Sequence, residues 1–421
     1  MYCENCGRQI RDSVKACRFC GKETTVALKA KKARLFKTLL IVVLAIVVIG
    51  AGFLIIRGFT GTDTVSGVVE NGSVAGQMIR AGKTTYMVLE NNDRKITQIL
   101  KVDEKADAKA QEVYRISWPE GGNTAVSLVC IQGNTLYYLE HNTYKTSVPH
   151  LSLYELKSLD LKKEGSNPTA IKLKTRDGKQ IPESIIDFCE KTRNREFSLE
   201  DLLGFQRGFE KNYIYIMQAY ERAYSKAVLF QIDCTTGEVS FVEGRSLDPV
   251  ESWVLRAIKD GYLYYERLDY EVSEGLYRAS LSDLKEERLL DASGMNYYFA
   301  DIRIMDNSLI YMLSTNYPEQ TGFELHYLDL KTKEDSFIFA IETRKTFDYT
   351  LSATTIYYFE QGELRSCNHD GSDDRLLIKN RDSAGVKDSL HILGDWIYYR
   401  QNGDWYRVRP GDGEFPTKSL N

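Results

Sequence analysis

Two patterns of apolar positions run along this 421-residue chain. The first is continuous: Thr38 to Ile56 reads TLLIVVLAIVVIGAGFLII, with no charged or strongly polar side chain after its first residue. As a helix this run is about 28 Å long, enough to cross the hydrocarbon core of a bilayer, and it lacks the polar face of a helix packed on a globular core. It predicts one transmembrane helix over 38–56. The second pattern alternates with period 2. Short strand-like segments recur with a tyrosine at Tyr86, Tyr137, Tyr215, Tyr264, Tyr311, Tyr357 and Tyr398, spaced by 51, 78, 49, 47, 46 and 41 residues. Most are followed by a further strand and a turn rich in Asp, Gly and Lys, as in LYR at 276–278 before SLSDLKEE, so each unit reads as an antiparallel meander. Units of about 40–50 residues with several strands each predict a mainly β chain folded as a β-propeller over 64–421, with seven blades and six as the alternative. A sandwich does not require the same motif seven times.

The tyrosine pairs at 137/138, 264/265, 357/358 and 398/399 could form an aromatic surface for sugars. Their repetition points instead to packing, because a ligand site needs one special blade and a core needs every blade alike. Adjacent strand residues face opposite ways, so one tyrosine of each pair is expected between blades while the other shields a sheet surface. The spacing of 78 marks the exception. Its excess falls at 181–209, IPESIIDFCEKTRNREFSLEDLLGFQRGF, where Ser184 with Asp187 and Ser198 with Asp201 predict two helix starts. Such a helical insertion is either a lid or docking element or a decoration packed on the rim.

Charge is distributed unequally around the apolar run. Residues 1–37 carry a balance of +7 and the remainder −11, against a total of −4. Lys29, Lys31, Lys32, Arg34 and Lys37 precede the run and only Arg57 follows closely, which places the N-terminus in the cytoplasm and the large domain outside. A cleaved signal peptide would have a shorter apolar region starting near residue 1, so an uncleaved signal anchor is expected, single-pass in the cell membrane. The basic linker 24–37 either sets this topology alone or also attracts anionic lipid. The acidic exterior argues against nucleic acid as a partner.

Cys3, Cys6, Cys17 and Cys20 form CENCG and CRFCG, with Gly7 or Gly21 after the second cysteine of each pair. Two such pairs bring four thiolates into a tetrahedron, and the glycine permits the left-handed turn that aims backbone N–H groups at sulfur. Structural Zn2+ held by these four cysteines is the expectation; disulfides are disfavoured in a reducing cytoplasm. A domain of 1–23 is too small for an apolar core, so the metal would supply its folding energy. With every ligand position filled by cysteine, no coordination site stays open for catalysis.

These residues resemble the short zinc-ribbon domains at the N-termini of many bacterial membrane proteins. The repeats, above all WIYYRQNGDWYRVRPGDG (396–413) and TIYYFEQGELRSCNHDGSDDRLL (355–377), with VENGSVAG near residue 72 as an opening segment, resemble the prolow-density-lipoprotein-receptor-like β-propeller family of bacterial envelope proteins. That likeness implies a fold and little chemistry.

No GxSxG, HExxH, P-loop or dinucleotide fingerprint is present, and the five histidines at 141, 150, 326, 369 and 391 lack metal-ligand spacing. NHDGSDD at 368–374 lacks the distal glutamate of a calcium loop and reads as a turn. Cys130, Cys189, Cys234 and Cys367 fall one per distant region and either pair or stay buried and free. The leading expectation is a non-enzymatic anchored protein. Its propeller would bind a cell-envelope component or protein, while the zinc ribbon engages a cytoplasmic protein. The alternatives are a carboxylate-based glycosidase or lyase working in the central channel, and a structural assembly factor.

Overall fold

The structure is a computed structural model that describes residues 2–9, 11, 14–23 and 77–420, leaving out 106–107, 145–150, 164, 194, 219–225, 247–250, 270–271, 293–297, 306, 316–321, 342–347, 353, 361, 380–386, 402 and 411–417. The chain divides into two compact units, Met1–Thr62 and Asp63–Asn421. The linker 24–37, the apolar run 38–56 and the opening segment near residue 72 lie outside the described residues. Among the described residues no helix is long and apolar enough to cross a membrane.

The second unit is a seven-bladed β-propeller: seven antiparallel sheets, each built from four strands consecutive in the chain, follow one another over 78–117, 122–170, 207–246, 251–291, 298–341, 349–378 and 387–419. The recurrent tyrosines all lie on the second strand of their blades, as in Thr84–Asn91, Tyr262–Asp269 and Trp396–Gln401. Both members of a pair are interior. Tyr264 packs with Phe299 and Ile302 of the following blade, and Tyr265 packs with Tyr215 and Leu229 of the preceding one. Tyr357 and Tyr398 likewise face forward, while Tyr358 and Tyr399 face back. This corrects the expectation that one tyrosine only shields a sheet surface. A blade has neighbours on both sides, so period 2 sends each side chain into one seam or the other. Tyr311 is out of step: it packs with the preceding blade, so Ile310 and Met312 occupy the forward face of blade 5.

Blade 3 has a fifth strand. Lys174–Thr175 pairs in parallel with Glu238 and Val239 on its outer edge, immediately after the last strand of blade 2, Thr169–Ala170. The chain is led there closely: a Cβ on Gly237 would lie 2.3 Å from the Lys172 carbonyl oxygen, so only glycine admits this approach. The insertion then forms a helix over Glu183–Arg193 and a 3-10 turn over Leu199–Gly204. Ser198 caps the second as expected, its N–H donating to Asp201 Oδ2 at 2.8 Å. Ser184 does not start the first; it lies inside the helix, whose first turn closes on the Pro182 carbonyl. The insertion packs against the blades. Ile181, Ile185, Cys189, Leu202 and Leu203 are buried in the same apolar cluster as blades 1 to 3.

Among the described residues no sheet is shared by the two chain ends. Blade 7 meets blade 1 through one backbone hydrogen bond, the Ala110 N–H donating to the Leu420 carbonyl at 3.0 Å, and otherwise through side chains. Trp405 Nε1 donates to the Val88 carbonyl at 2.8 Å, Trp396 Nε1 to the Glu104 carbonyl at 3.1 Å, and Tyr398 Oη to Thr85 Oγ1 at 3.2 Å. The Arg407 guanidinium donates to the carbonyls of Asp103, Lys105 and Ala108 and lies 4.2 Å from the Trp396 ring centre. Met78, Met87, Leu100 and Leu393 fill the space between.

Candidate functional site

The N-terminal cysteines form two matching knuckles. In each, the first cysteine's carbonyl accepts a 2.8 Å bond from the glycine N–H four residues on (Gly7 to Cys3, Gly21 to Cys17). Both glycines are left-handed, at φ 68° and 71°, as the CxxCG pattern predicts. The four sulfurs lie within 4.8 Å of one another, with Cys3 Sγ to Cys20 Sγ 3.7 Å and Cys6 Sγ to Cys17 Sγ 3.6 Å. A tetrahedron of metal–sulfur bonds of about 2.3 Å has edges of about 3.8 Å, so the donor set fits a four-thiolate metal centre. Backbone N–H groups tune it. The Lys22 N–H, then the Asn5 side chain, hold the Cys20 thiol down at about 6, while Phe19 N–H holds Cys17 down. Cys6 also accepts from a backbone N–H, that of Arg8, yet desolvation and the other three thiols push it up to about 12. Four crowded sulfurs cannot all ionise without a central cation.

In the propeller, buried charges are matched internally. Glu266 pairs with Arg256 and Asp201 with Arg195; Glu140 pairs with Lys157 at 2.8 Å. Near the inner strands, Arg303 joins Asp301 at 2.7 Å and Asp348 at 3.4 Å, and Asp348 also accepts from the Leu390 N–H at 2.6 Å, tying blades 5, 6 and 7 together. NHDGSDD is a turn, as expected: Asp370 Oδ1 accepts from the Ser372 N–H at 2.9 Å. The outer cysteines are not one per distant region. Cys130, Cys189 and Cys234 share one buried cluster, where the Cys130 and Cys234 thiols hydrogen-bond and burial pushes Cys234 well up; Cys367 lies apart between blades 5 and 6.

Sequence reasoning missed a cavity of about 680 Å³ between blades 7 and 1. It is bordered by Leu89, Leu100 and Leu420 and by the charged residues Glu90, Asp93, Arg94, Glu112, Arg400 and Asp404. Glu112 is satisfied by Arg115 and Gln98. The sequence does hold a signal for Arg400. The residue following the back-facing position on the second strand points into the next seam and is apolar in five blades (Val88, Leu139, Met217, Met312, Phe359); in the other two it is Glu266 and Arg400. Glu266 has its arginine. Among the described residues Arg400 has neither ion pair nor hydrogen bond, only the Trp405 ring at 5.8 Å.

A second cavity, of about 310 Å³, separates Arg195, Ser198 and Glu200 of the insertion from Tyr154 and Glu155 of blade 2.

No protein-family model matches the chain, and no curated protein matches it. Among solved structures, a prolyl endopeptidase aligns over 84% of this chain and 50% of its own, at 11% identity and a TM-score of 0.48, so this chain spans about half its length. The β-propeller domain of the Trilobed protease from Pyrococcus furiosus aligns over 86% of this chain and 96% of its own, at 11% identity and 0.43. An oligogalacturonate lyase in complex with manganese aligns over 79% and 91%, at 8% identity and 0.42. Likenesses so distant say nothing about activity, and the propeller stands on its own sheet topology.

Proposed function

We propose that the protein is a membrane-anchored, non-enzymatic binding protein: a cytoplasmic zinc ribbon over 1–23, a transmembrane helix over 38–56, and an extracytoplasmic propeller that takes a cell-envelope component or protein as its ligand. The observation that carries this reading is that, among the described residues, the cysteine cluster and the most deeply buried carboxylates are closed. All four ligand positions of the metal centre are cysteine, and Glu266, Asp201, Glu140 and Asp348 are each held by a cation of the same chain. A catalytic carboxylate must instead face a substrate. Zinc is favoured as the ion because four thiolates in a tetrahedron suit a soft-tolerant d10 ion with no geometric demand of its own.

Thiol labelling of intact cells tests the topology. A membrane-impermeant reagent is expected to label Thr62→Cys and not Ala27→Cys; labelling at position 27 overturns the orientation. Metal analysis of the purified full chain tests the ribbon. About one zinc per chain is expected, lost in Cys17→Ser. Retention of zinc by that variant would refute the four-thiolate centre.

A further inference from the structure

Of the six charged residues that line the cavity between blades 7 and 1, Glu90 and Arg400 are opposite in sign, come from different blades and form no ion pair among the described residues. Arg400 enters from the second strand of blade 7 and Glu90 from the second strand of blade 1. Neither makes a hydrogen bond or ion pair among the described residues, although each lies in the other's field. Arg400 Nε is shielded from solvent, and burial raises the Glu90 carboxyl above its ordinary range, with Arg400 opposing. At the corresponding position of blade 4, Arg256 instead satisfies Glu266. A guanidinium and a carboxylate that line one cavity without an ion pair are each open to a partner, and one molecule carrying both complementary charges would supply both.

Other ligand classes fit less well. Among the described residues the cysteine site is the only cluster that could hold a metal ion, so the carboxylates here do not converge on a cation. No Phe, Tyr or Trp lines the cavity, so a neutral sugar finds no ring face, and Trp405 is covered behind Arg400. Leu89, Leu100 and Leu420 border the cavity but belong to the buried core, so polar and charged groups make most of its accessible wall. The volume falls within the range of about 300–1,000 Å³ usual for small-molecule sites.

We infer that this cavity binds a zwitterion of short-peptide type, its carboxylate on Arg400 and its ammonium on Glu90. The assignment rests on the reading of the propeller as a binding module and names the ligand class of that module. Three probes test it by calorimetry on the full chain in detergent micelles: alanyl-leucine, its N-acetyl form and its C-terminal amide. Alanyl-leucine is expected to bind saturably, with each blocked form weaker by about tenfold or more. Arg400→Gln should erase the preference for the free carboxylate and keep that for the free amine; Glu90→Gln should do the reverse. Arg400→Lys should retain part of the carboxylate preference, and all variants should melt within a few degrees of the parent. Equal binding of all three probes, no binding at millimolar concentration, or binding of a neutral disaccharide instead would overturn the site. Failure there with partner crosslinking in membranes intact refutes the cavity and leaves the binding-protein reading standing. Cleavage of the bound peptide, seen by mass spectrometry, refutes the non-enzymatic reading and leaves the site.

Discussion

The boundary between blades 2 and 3 and that between blades 7 and 1 solve the same packing problem in opposite ways. At the first the chain is continuous. It crosses as a parallel strand on the edge of blade 3 and then fills the space with Ile185, Leu202 and Leu203, all nearly inaccessible to solvent. At the second no strand crosses among the described residues, and the two ends meet through Trp396, Trp405, Tyr398 and Arg407 donating to backbone and side-chain oxygens of blade 1 and through the Ala110 N–H donating to the Leu420 carbonyl. Apolar filling is non-directional and suffices where the chain already sets position. Where nothing covalent sets it, directional hydrogen bonds must specify how the last blade sits on the first. The closing seam keeps a cavity of about 680 Å³, against about 310 Å³ between the insertion and blade 2.

The largest effect expected on this contrast comes from deleting 181–205 behind a short Gly-Ser bridge. The deletion removes no ladder hydrogen bond, but it strips four or more buried aliphatic side chains from the cluster of blades 1 to 3. At about 1.5–3 kcal/mol for each side chain, the loss is expected to exceed 5 kcal/mol. Urea unfolding that shows an unchanged midpoint would mean that these side chains add nothing to the stability of the blades. Trp405→Ala should follow, at about 4–5 kcal/mol, from the cavity it leaves and the Val88 carbonyl it orphans. Because no strand among the described residues crosses this seam, the same variant should open hydrogen exchange first in blades 7 and 1. Uniform opening across all seven blades would contradict that localisation.

Acid should act beside the closing seam through His391, whose ring lies 5.9 Å from Trp405. Burial, then the positive Arg303, lowers its proton affinity to about 3 from an ordinary 6.5. Between those values the unfolded chain binds a proton that the folded chain does not, so its contribution to stability falls as pH drops through that window. Asp348 runs the other way. Burial raises its carboxyl to about 6 from 3.8, with Arg303 and the Leu390 N–H opposing and Asp301 adding to the rise, so its contribution falls as pH rises between those values. The two offset each other near pH 5. His391→Gln should therefore lose less stability than the parent between pH 7 and about 4.5, by on the order of 2 kcal/mol. Parallel pH profiles for variant and parent would exclude the role given to His391. The smallest effect is expected from Tyr398→Phe, which removes one bond to Thr85 and no volume: about 1 kcal/mol by urea titration.

The parts legible in sequence are those encoded within short spans. CENCG and CRFCG specify two knuckles because each turn closes within five residues, on the Gly7 and Gly21 N–H groups, and needs only a glycine where φ is positive. The blades are legible because period 2 within a strand and a recurring turn between strands are local, and their number follows from the repeat. The start of the second inserted helical segment was readable at Ser198, whereas the first began at Pro182, where no side chain signals a cap.

Contacts between distant segments were not legible. Trp405 and Val88 are 317 residues apart, and nothing in either repeat says that they meet. Tyr311 carries the same motif as Tyr264 yet faces the opposite seam, since a one-residue shift in a strand exchanges its two faces. Cys130 and Cys234 look isolated in the chain and touch in the core. Glu266 and Arg400 occupy matching positions in the repeat; one is neutralised by Arg256 and the other is left open over a cavity. Composition and periodicity determine which elements form and which faces are apolar. The tertiary structure alone decided which faces meet and which charges were left without partners, because burial and pairing belong to the assembled ring and not to any one blade.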